Sequence, residues 1–344
     1  MTDSIHKRKA EHIDITLNEK VTGNNISTGL ERVHFIHNAL PEIDFNDISI
    51  KSKFLGEARP TPFVISSMTG GAAFAETINR NLAMAAEERG WVLALGSMRA
   101  LIESEEHRSS FQVRKYAPNV PIIANLGAVQ LNYGFNIDKC KQIIEMSDAN
   151  ALVLHLNTIQ EVIQPSGDLN FKDLLGKIEE LTNGLGVPVG VKEVGWGIDG
   201  VTAKKLCEVG IAFVDVAGAG GTSWSQVEKF RSKEPVKRAA AETFSDWGNP
   251  TVDCVVSVRE SINEQSIIAS GGMYNGLDAA KTIALGAHMV GFGRSILKEA
   301  TQSVEEVMSV METKELELRM AMFGVGAATI GQLQSTDRVT YTKR

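Results

Sequence analysis

The chain has 344 residues, 43% hydrophobic and 22% charged, with a formal net charge of −7. These are globular values with apolar side chains enough for a full core, and the acidic balance excludes nucleic acid or an anionic membrane as the main partner, because both select basic faces. No apolar run approaches the roughly 20 residues of a membrane span. Met1–Lys20 has no apolar signal core, and the cysteines Cys140, Cys207 and Cys254 are widely spaced, as reduced thiols would be. A cytoplasmic location is expected.

Residues 1–60 carry charge, Asn and a turn-rich middle, and read as an arm or cap. Arg8, Lys9 and His12 lie on it, either as a solvated tail or as a flap over an anionic ligand. From residue 61 to 344 one theme repeats: a short apolar run, a glycine-rich or polar break, then an amphipathic helix. The runs are Pro62–Met68, Val92–Ser97, Pro121–Leu126, Ala151–Asn157, Pro188–Val194, Phe213–Ala217, Ser266–Ser270 and Met289–Gly293. Runs without polar alternation indicate strands covered on both faces, as in parallel sheets wrapped by helices. About eight such units match an α/β TIM (β/α)8 barrel of ~250 residues better than a doubly wound sheet, which has fewer strands. Residues 224–250 break the repeat as a long loop after the sixth strand, a length that is usually functional. Glu299–Arg319 reads as a charged terminal helix whose Met308 and Met311 pack into the core.

Barrel active sites sit where strands end. The strand-end residues are Ser67, Met68, Thr69, Ser97, Met98, Arg99, Asn125, His155, Asn157, Gln160, Glu161, Lys192, Glu193, Asp215, Thr222, Gly271, Gly272, Gly293 and Arg294. So many hydrogen-bonding groups at one end have no structural purpose. Ser266–Gly272 and His288–Arg294 are paired strand ends opening into glycines, where backbone N–H groups can converge on a phosphate. Gly195-Trp-Gly-Ile-Asp-Gly200 matches a dinucleotide fingerprint, but it falls fifth among similar units and follows two charges, Lys192 and Glu193. A buried lysine at a barrel end suits an anionic reduced flavin, or else a neighbouring carboxylate. Thr69, Ser97, Asn125 and Thr222 suit a ring with several acceptors. Glu161 suits a hard cation bridging a diphosphate, or a solvated helix start.

Together these residues resemble the type 2 isopentenyl diphosphate isomerase family, the flavin-dependent isomerases of isoprenoid biosynthesis. The segments that carry the resemblance are Arg8-Lys-Ala-Glu-His12, Met68-Thr-Gly-Gly71, Asn125-Leu-Gly-Ala-Val-Gln130, His155-Leu-Asn-Thr-Ile-Gln-Glu161 and Lys192-Glu-Val-Gly195. Asp215 to Trp224, Ala269 to Gly272 and Ala284 to Ala287 continue it. The arm motif and the His-Leu-Asn-x-x-Gln-Glu run are its most specific parts. The resemblance implies FMN held by Ser67, Met68, Thr69, Ser97, Asn125, Lys192, Thr222, Gly271, Gly272, Met273, Gly293 and Arg294, with NADPH as reductant. It also implies an allylic or homoallylic diphosphate at Arg8, Lys9, Ser97, Met98, Arg99 and Gln160, Mg2+ at Glu161, and a homo-oligomer. His155, Asn157, Gln160 and Lys192 are the catalytic candidates; the proton carrier is either flavin N5 or Gln160. On this reading residues 224–250, with Arg231, Lys233, Lys237 and Arg238, are expected to order over the diphosphate. The rivals are an FMN-dependent 2-hydroxy acid oxidase or dehydrogenase, which wants a histidine base near the end of the sixth strand where Ala217–Trp224 has none, and a non-catalytic phosphate-binding barrel.

Overall fold

The computed structural model describes residues 2–68, 70, 73–105 and 108–343. Eight parallel strands close into a barrel. In chain order they are β1 (Phe63–Ile65), β2 (Val92–Ala94), β3 (Ile122–Gly127), β4 (Ala151–His155), β5 (Val189–Lys192), β6 (Phe213–Asp215), β7 (Ser266–Ala269) and β8 (Met289–Phe292). β8 returns to β1, with Val290 opposite Phe63. β3 is buried at all six positions, because one face meets the barrel interior and the other meets helices. Seven of these eight strands lie inside their predicted runs, and β3 ends one residue past its run, at Gly127. Runs overshoot because polar residues such as Ser66 and Asn157 leave the ladder to form the mouth.

The interior layer is small and apolar: Val64, Val92, Ala94, Ile123, Val153, Phe213, Ile268 and Met289. Its lower end is plugged from outside the barrel. The antiparallel pair Ser52–Phe54 and Glu57–Arg59 inserts Phe54, whose ring meets Phe213 edge-on at 5.3 Å. Gly190 on β5 leaves room for that ring, since a Cβ there would lie 2.2 Å from Phe213.

The arm begins as a helix, Thr2–Asn18, and continues into Val33–Phe35, which pairs with the C-terminal strand Val339–Tyr341. Leu30, Val33 and Ile48 join the core shared with the barrel helices. The segment after β6 corrects the sequence expectation: it is not a loop but two helices, Trp224–Arg231 and Pro235–Thr243. Pro235 sits at the start of the second, where its missing N–H is one that no helix uses. The terminal helix is shifted toward the C-terminus from its expected place, to Val304–Val325, with Glu299 in the preceding helix Arg294–Ala300, and a short helix, Ile330–Gln334, follows it.

The dinucleotide-like glycines have another explanation. Gly195 and Gly197 take positive φ in a tight turn, and Asp199 caps the helix Gly200–Glu208 by accepting the Thr202 N–H at 2.7 Å. The Glu193 carboxylate fills the turn and accepts N–H groups from Val194, Gly195, Trp196 and Gly197. The donors that a dinucleotide phosphate would need are occupied.

Candidate active site

The ends of all eight strands line one cavity at the C-terminal mouth, and Arg8, Lys9, His12, Ile13 and Thr16 of the arm helix close one side. The described residues assigned to cofactor, substrate, metal or catalysis line this cavity except Met98, and of the other strand-end residues Glu193 and Asp215 lie outside its lining. Met98 is fully buried in the outer core, although its neighbours Ser97 and Arg99 face the cavity. Its backbone N–H donates to the Asn125 carbonyl at 2.7 Å, which turns its side chain away. Thr69 lies outside the described residues.

At the β3–β4 side, the His155 ring meets Asn125 Oδ1 through Nδ1 at 2.8 Å. A carboxamide oxygen accepts, so Nδ1 carries the proton and Nε2 is the free acceptor. Burial, reinforced by Lys192, Arg8 and Lys9, lowers the His155 pKa to about 3. The imidazole is neutral at physiological pH, and the bond to Asn125 fixes its ring. Lys192 donates from Nζ to the Glu193 carbonyl. Among the described residues no carboxylate lies within ion-pair distance of it, so the paired-carboxylate alternative does not hold. Asp215 stands nearby; burial raises its carboxyl pKa, against the pull of Lys192 and the Ser270 hydroxyl.

The helix Thr158–Ile163 brings Gln160 and Glu161 together with Asn157. Gln160 is held at both ends of its amide, accepting from Asn157 Nδ2 at 3.2 Å and donating to Glu228 at 3.2 Å. Glu161 is buried and accepts from Asn157 at 2.8 Å, from the Asp168 N–H at 2.7 Å and from Gln164. The solvated-carboxylate alternative for Glu161 fails on that burial. Among the described residues no three His, Cys, Asp or Glu side chains form a metal-binding group.

The cationic side is preorganised by contacts within the protein. Lys9 donates to the Ser97 carbonyl at 2.9 Å and stands 4.9 Å over the Phe111 ring. Arg99 pairs with Asp168 at 2.6 Å and with Glu103 at 2.8 Å. Burial lowers the Lys9 pKa to about 7, and the charge of Arg8 adds to that.

A model of the FMN-dependent dehydrogenase family matches residues 125–340. An isopentenyl-diphosphate delta-isomerase of Oceanobacillus iheyensis is 56% identical over 99% of this chain and 97% of its own. One from Nostoc sp. is 46% identical over 95% of this chain and 93% of its own. The chain belongs to the isopentenyl-diphosphate delta-isomerase family. Its fold is similar to that of more distant proteins. The flavin-binding domain of baker's yeast flavocytochrome b2 superposes with a TM-score of 0.70 at 15% identity, over 96% of this chain and 82% of that one. A lactate oxidase of Pediococcus acidilactici gives 0.68 at 16% identity, over 100% and 95%.

The cavity of this family member fits a flavin mononucleotide by its own chemistry. Ser67 Oγ, Gln130 Oε1, Asn157 Oδ1 and Ser295 Oγ line it, and each is buried without a hydrogen-bond partner among the described residues. Buried polar atoms are otherwise paired. A Cβ at Gly293 would meet nothing nearer than 3.8 Å, so its backbone borders open space. Gly271, in contrast, is required for loop contact: at φ +96 its Cβ would lie 2.1 Å from the Gly218 carbonyl.

Sequence reasoning missed Glu228, which has no side-chain exposure and joins three elements. It accepts from His12 Nε2 at 3.0 Å, from Gln160 and from Arg231. The available signal was Glu228 three residues before Arg231 in a helical turn, hidden because the segment was read as a loop and only its cations were weighed. Of those, Arg231 pairs with Glu228 and Glu11, and Lys237 donates to the Gln164 carbonyl.

Proposed function

We propose that the chain is an FMN-dependent isomerase that interconverts isopentenyl diphosphate and dimethylallyl diphosphate. It acts with the flavin reduced, NADPH as reductant and Mg2+ on the diphosphate. The observation that carries this reading is the composition of the cavity in a member of this family: unpaired amides and hydroxyls on the barrel wall, an unneutralised Lys192, and a cationic arm at the opening.

Moving the double bond requires protonation at one carbon and deprotonation at another, through a cation-like state that needs electron density beside it and exclusion of water. The chemistry FMN supplies when bound is an electron-rich planar face and an exchangeable proton at N5. Lys192 favours negative charge on the ring near its Nζ. Ser67, Ser97, Asn125 and Thr222 satisfy the polar edge; the glycine loops after β7 and β8 take the phosphate, with Met68, Met273 and Arg294 beside them. Gln160, clamped between Asn157 and Glu228, orients the alkene, since a neutral amide is a weak acid and a weak base. His155, fixed by Asn125, holds its place without titrating. Glu161 fits one Mg2+ because that ion commonly takes one or two carboxylates and completes its shell with substrate oxygens and water. Arg8, Lys9 and Arg99 take the diphosphate. The helices Trp224–Arg231 and Pro235–Thr243 cover it, and the active form is a cytoplasmic homo-oligomer. Among the described residues no helix is long and apolar enough to cross a membrane.

The 2-hydroxy acid oxidase reading fails at Ala217–Trp224, which offers no histidine base. A visible spectrum and an isomerase assay with dithionite-reduced FMN test the proposal. Conversion of each five-carbon diphosphate into the other supports it. Flavin reduction by lactate with no isomerisation would overturn it.

Lys9 supplies a pH prediction. With a pKa near 7 in the free protein, its ammonium is present below that pH and lost above it. KM for the diphosphate is therefore expected to rise by about tenfold between pH 6.5 and 8.5. Lys9→Met should raise KM at low pH and flatten its slope. Comparing the two proteins over the same range removes the substrate's own ionisation, and parallel profiles would refute the role.

A further inference from the structure

The loop between β7 and the helix Gly276–Ala284 faces the cavity with Gly271, Gly272, Met273 and Tyr274. Its far side rests on the long helix Val304–Val325, which grips it at two points. Lys314, only 4% exposed, donates from Nζ to the Tyr274 carbonyl. One turn on, Glu317 accepts the Gly276 N–H at 2.6 Å. The backbones touch as well: a Cβ at Gly276 would lie 2.1 Å from the Lys314 carbonyl oxygen. Asp278 completes the hold by accepting the Tyr274 N–H at 3.0 Å. Both faces of the peptides from Tyr274 to Gly276 are thus fixed from outside the cavity.

Lys314 is also a cation out of place. Its ammonium lies 4.9 Å from the centroid of Phe292, the last residue of β8. Among the described residues no carboxylate lies within ion-pair distance of it. Burial lowers its pKa, while Glu317, Glu299 and Asp278 at longer range support its charge. A buried cation without a carboxylate in contact is costly, and this one sits beneath the ends of the two strands whose loops present glycine backbone to the cavity. The Lys314 charge, partly offset by those carboxylates, stands on the side of the loop opposite the cavity.

We propose that Lys314 and Glu317 are positioning residues for the phosphate of the bound mononucleotide: they fix the loop after β7 from behind, and Lys314 adds its charge. The proposal rests on the flavin reading of the site. The full-length apoprotein is titrated with FMN and with riboflavin, which differ only in the phosphate. Lys314→Met is expected to weaken FMN by about tenfold or more while riboflavin changes by less than about twofold, as loss of one charge-assisted interaction implies. Lys314→Arg should keep the preference for FMN, and Glu317→Gln should lose part of it. Equal weakening of both flavins, or unchanged FMN binding, would overturn the proposal and leave the flavin site standing. A wild-type chain that binds neither flavin would overturn both. Should Lys314→Met fail to fold, an undiminished FMN preference in Glu317→Gln overturns the positioning role.

Discussion

Replacing Glu228 with Ala is expected to lower kcat/KM by about a thousandfold and to destabilise the fold by about 3–5 kcal/mol, the range for removing one partner of a buried charged cluster. The side chain has no exposure and is the common acceptor for His12, Gln160 and Arg231. Without it a buried guanidinium keeps the Glu11 carboxylate alone, the arm helix loses its His12 link while keeping that of Lys9, and the Gln160 amide is held at one end, by Asn157. Glu228→Gln preserves the volume and one acceptor, so it should fall between. Acid titration separates the charge from the packing. Burial would raise the Glu228 carboxyl, but the His12 hydrogen bond and the charges of His12 and Arg231 outweigh it and hold the pKa at about 2. A depressed carboxyl contributes stability that is present above about pH 4.5 and lost as pH falls toward 2, here about 3 kcal/mol. Denaturant unfolding across that range should show the slope in the wild type and a shallower one in Glu228→Gln. Activity within threefold of wild type in Glu228→Ala would remove Glu228 from the site.

Lys192→Met is expected to cost about a thousandfold in kcat with little change in KM, since removal of one preorganised charge from a buried site costs about 10²–10³ in rate. The geometry makes the loss specific. Lys192 is buried, bound to a carbonyl, and without a carboxylate at contact distance among the described residues. Nearby Asp215 is pushed toward its neutral form by burial. The positive charge is thus available to a cavity ligand. Methionine keeps the stem and its packing, so the fold should survive. A second readout distinguishes charge from structure: the midpoint potential of the bound flavin should fall in Lys192→Met. An unchanged potential together with near-normal kcat would refute the assignment.

The barrel was legible because its strands are buried on both faces, which leaves unbroken apolar runs such as Ala151–Leu154. The cavity was legible because strand ends inherit its polarity, which is why Asn125, His155, Asn157 and Lys192 could be named without coordinates. The arm helix was not. It covers a polar opening, so its inward face carries Lys9 and His12 beside Ile13, and no apolar stripe marks it. Met98 was misplaced for a related reason: adjacency to Ser97 and Arg99 says nothing about which way a side chain turns once the strand has ended. The helices within residues 224–250 were hidden by Ser232–Pro235, a break that looks like a loop and is the corner between two helices.

The barrel mouth also imposes an order on events at the ribosome. His12 and its acceptor Glu228 are 216 residues apart, and the first strand pairs with the last. At ~5–20 residues per second of synthesis, the arm waits on the order of ten to forty seconds for its partner to emerge. Through that interval a nascent chain carries a first strand with one edge open and an undocked leading helix, both available to whatever binds emerging polypeptide.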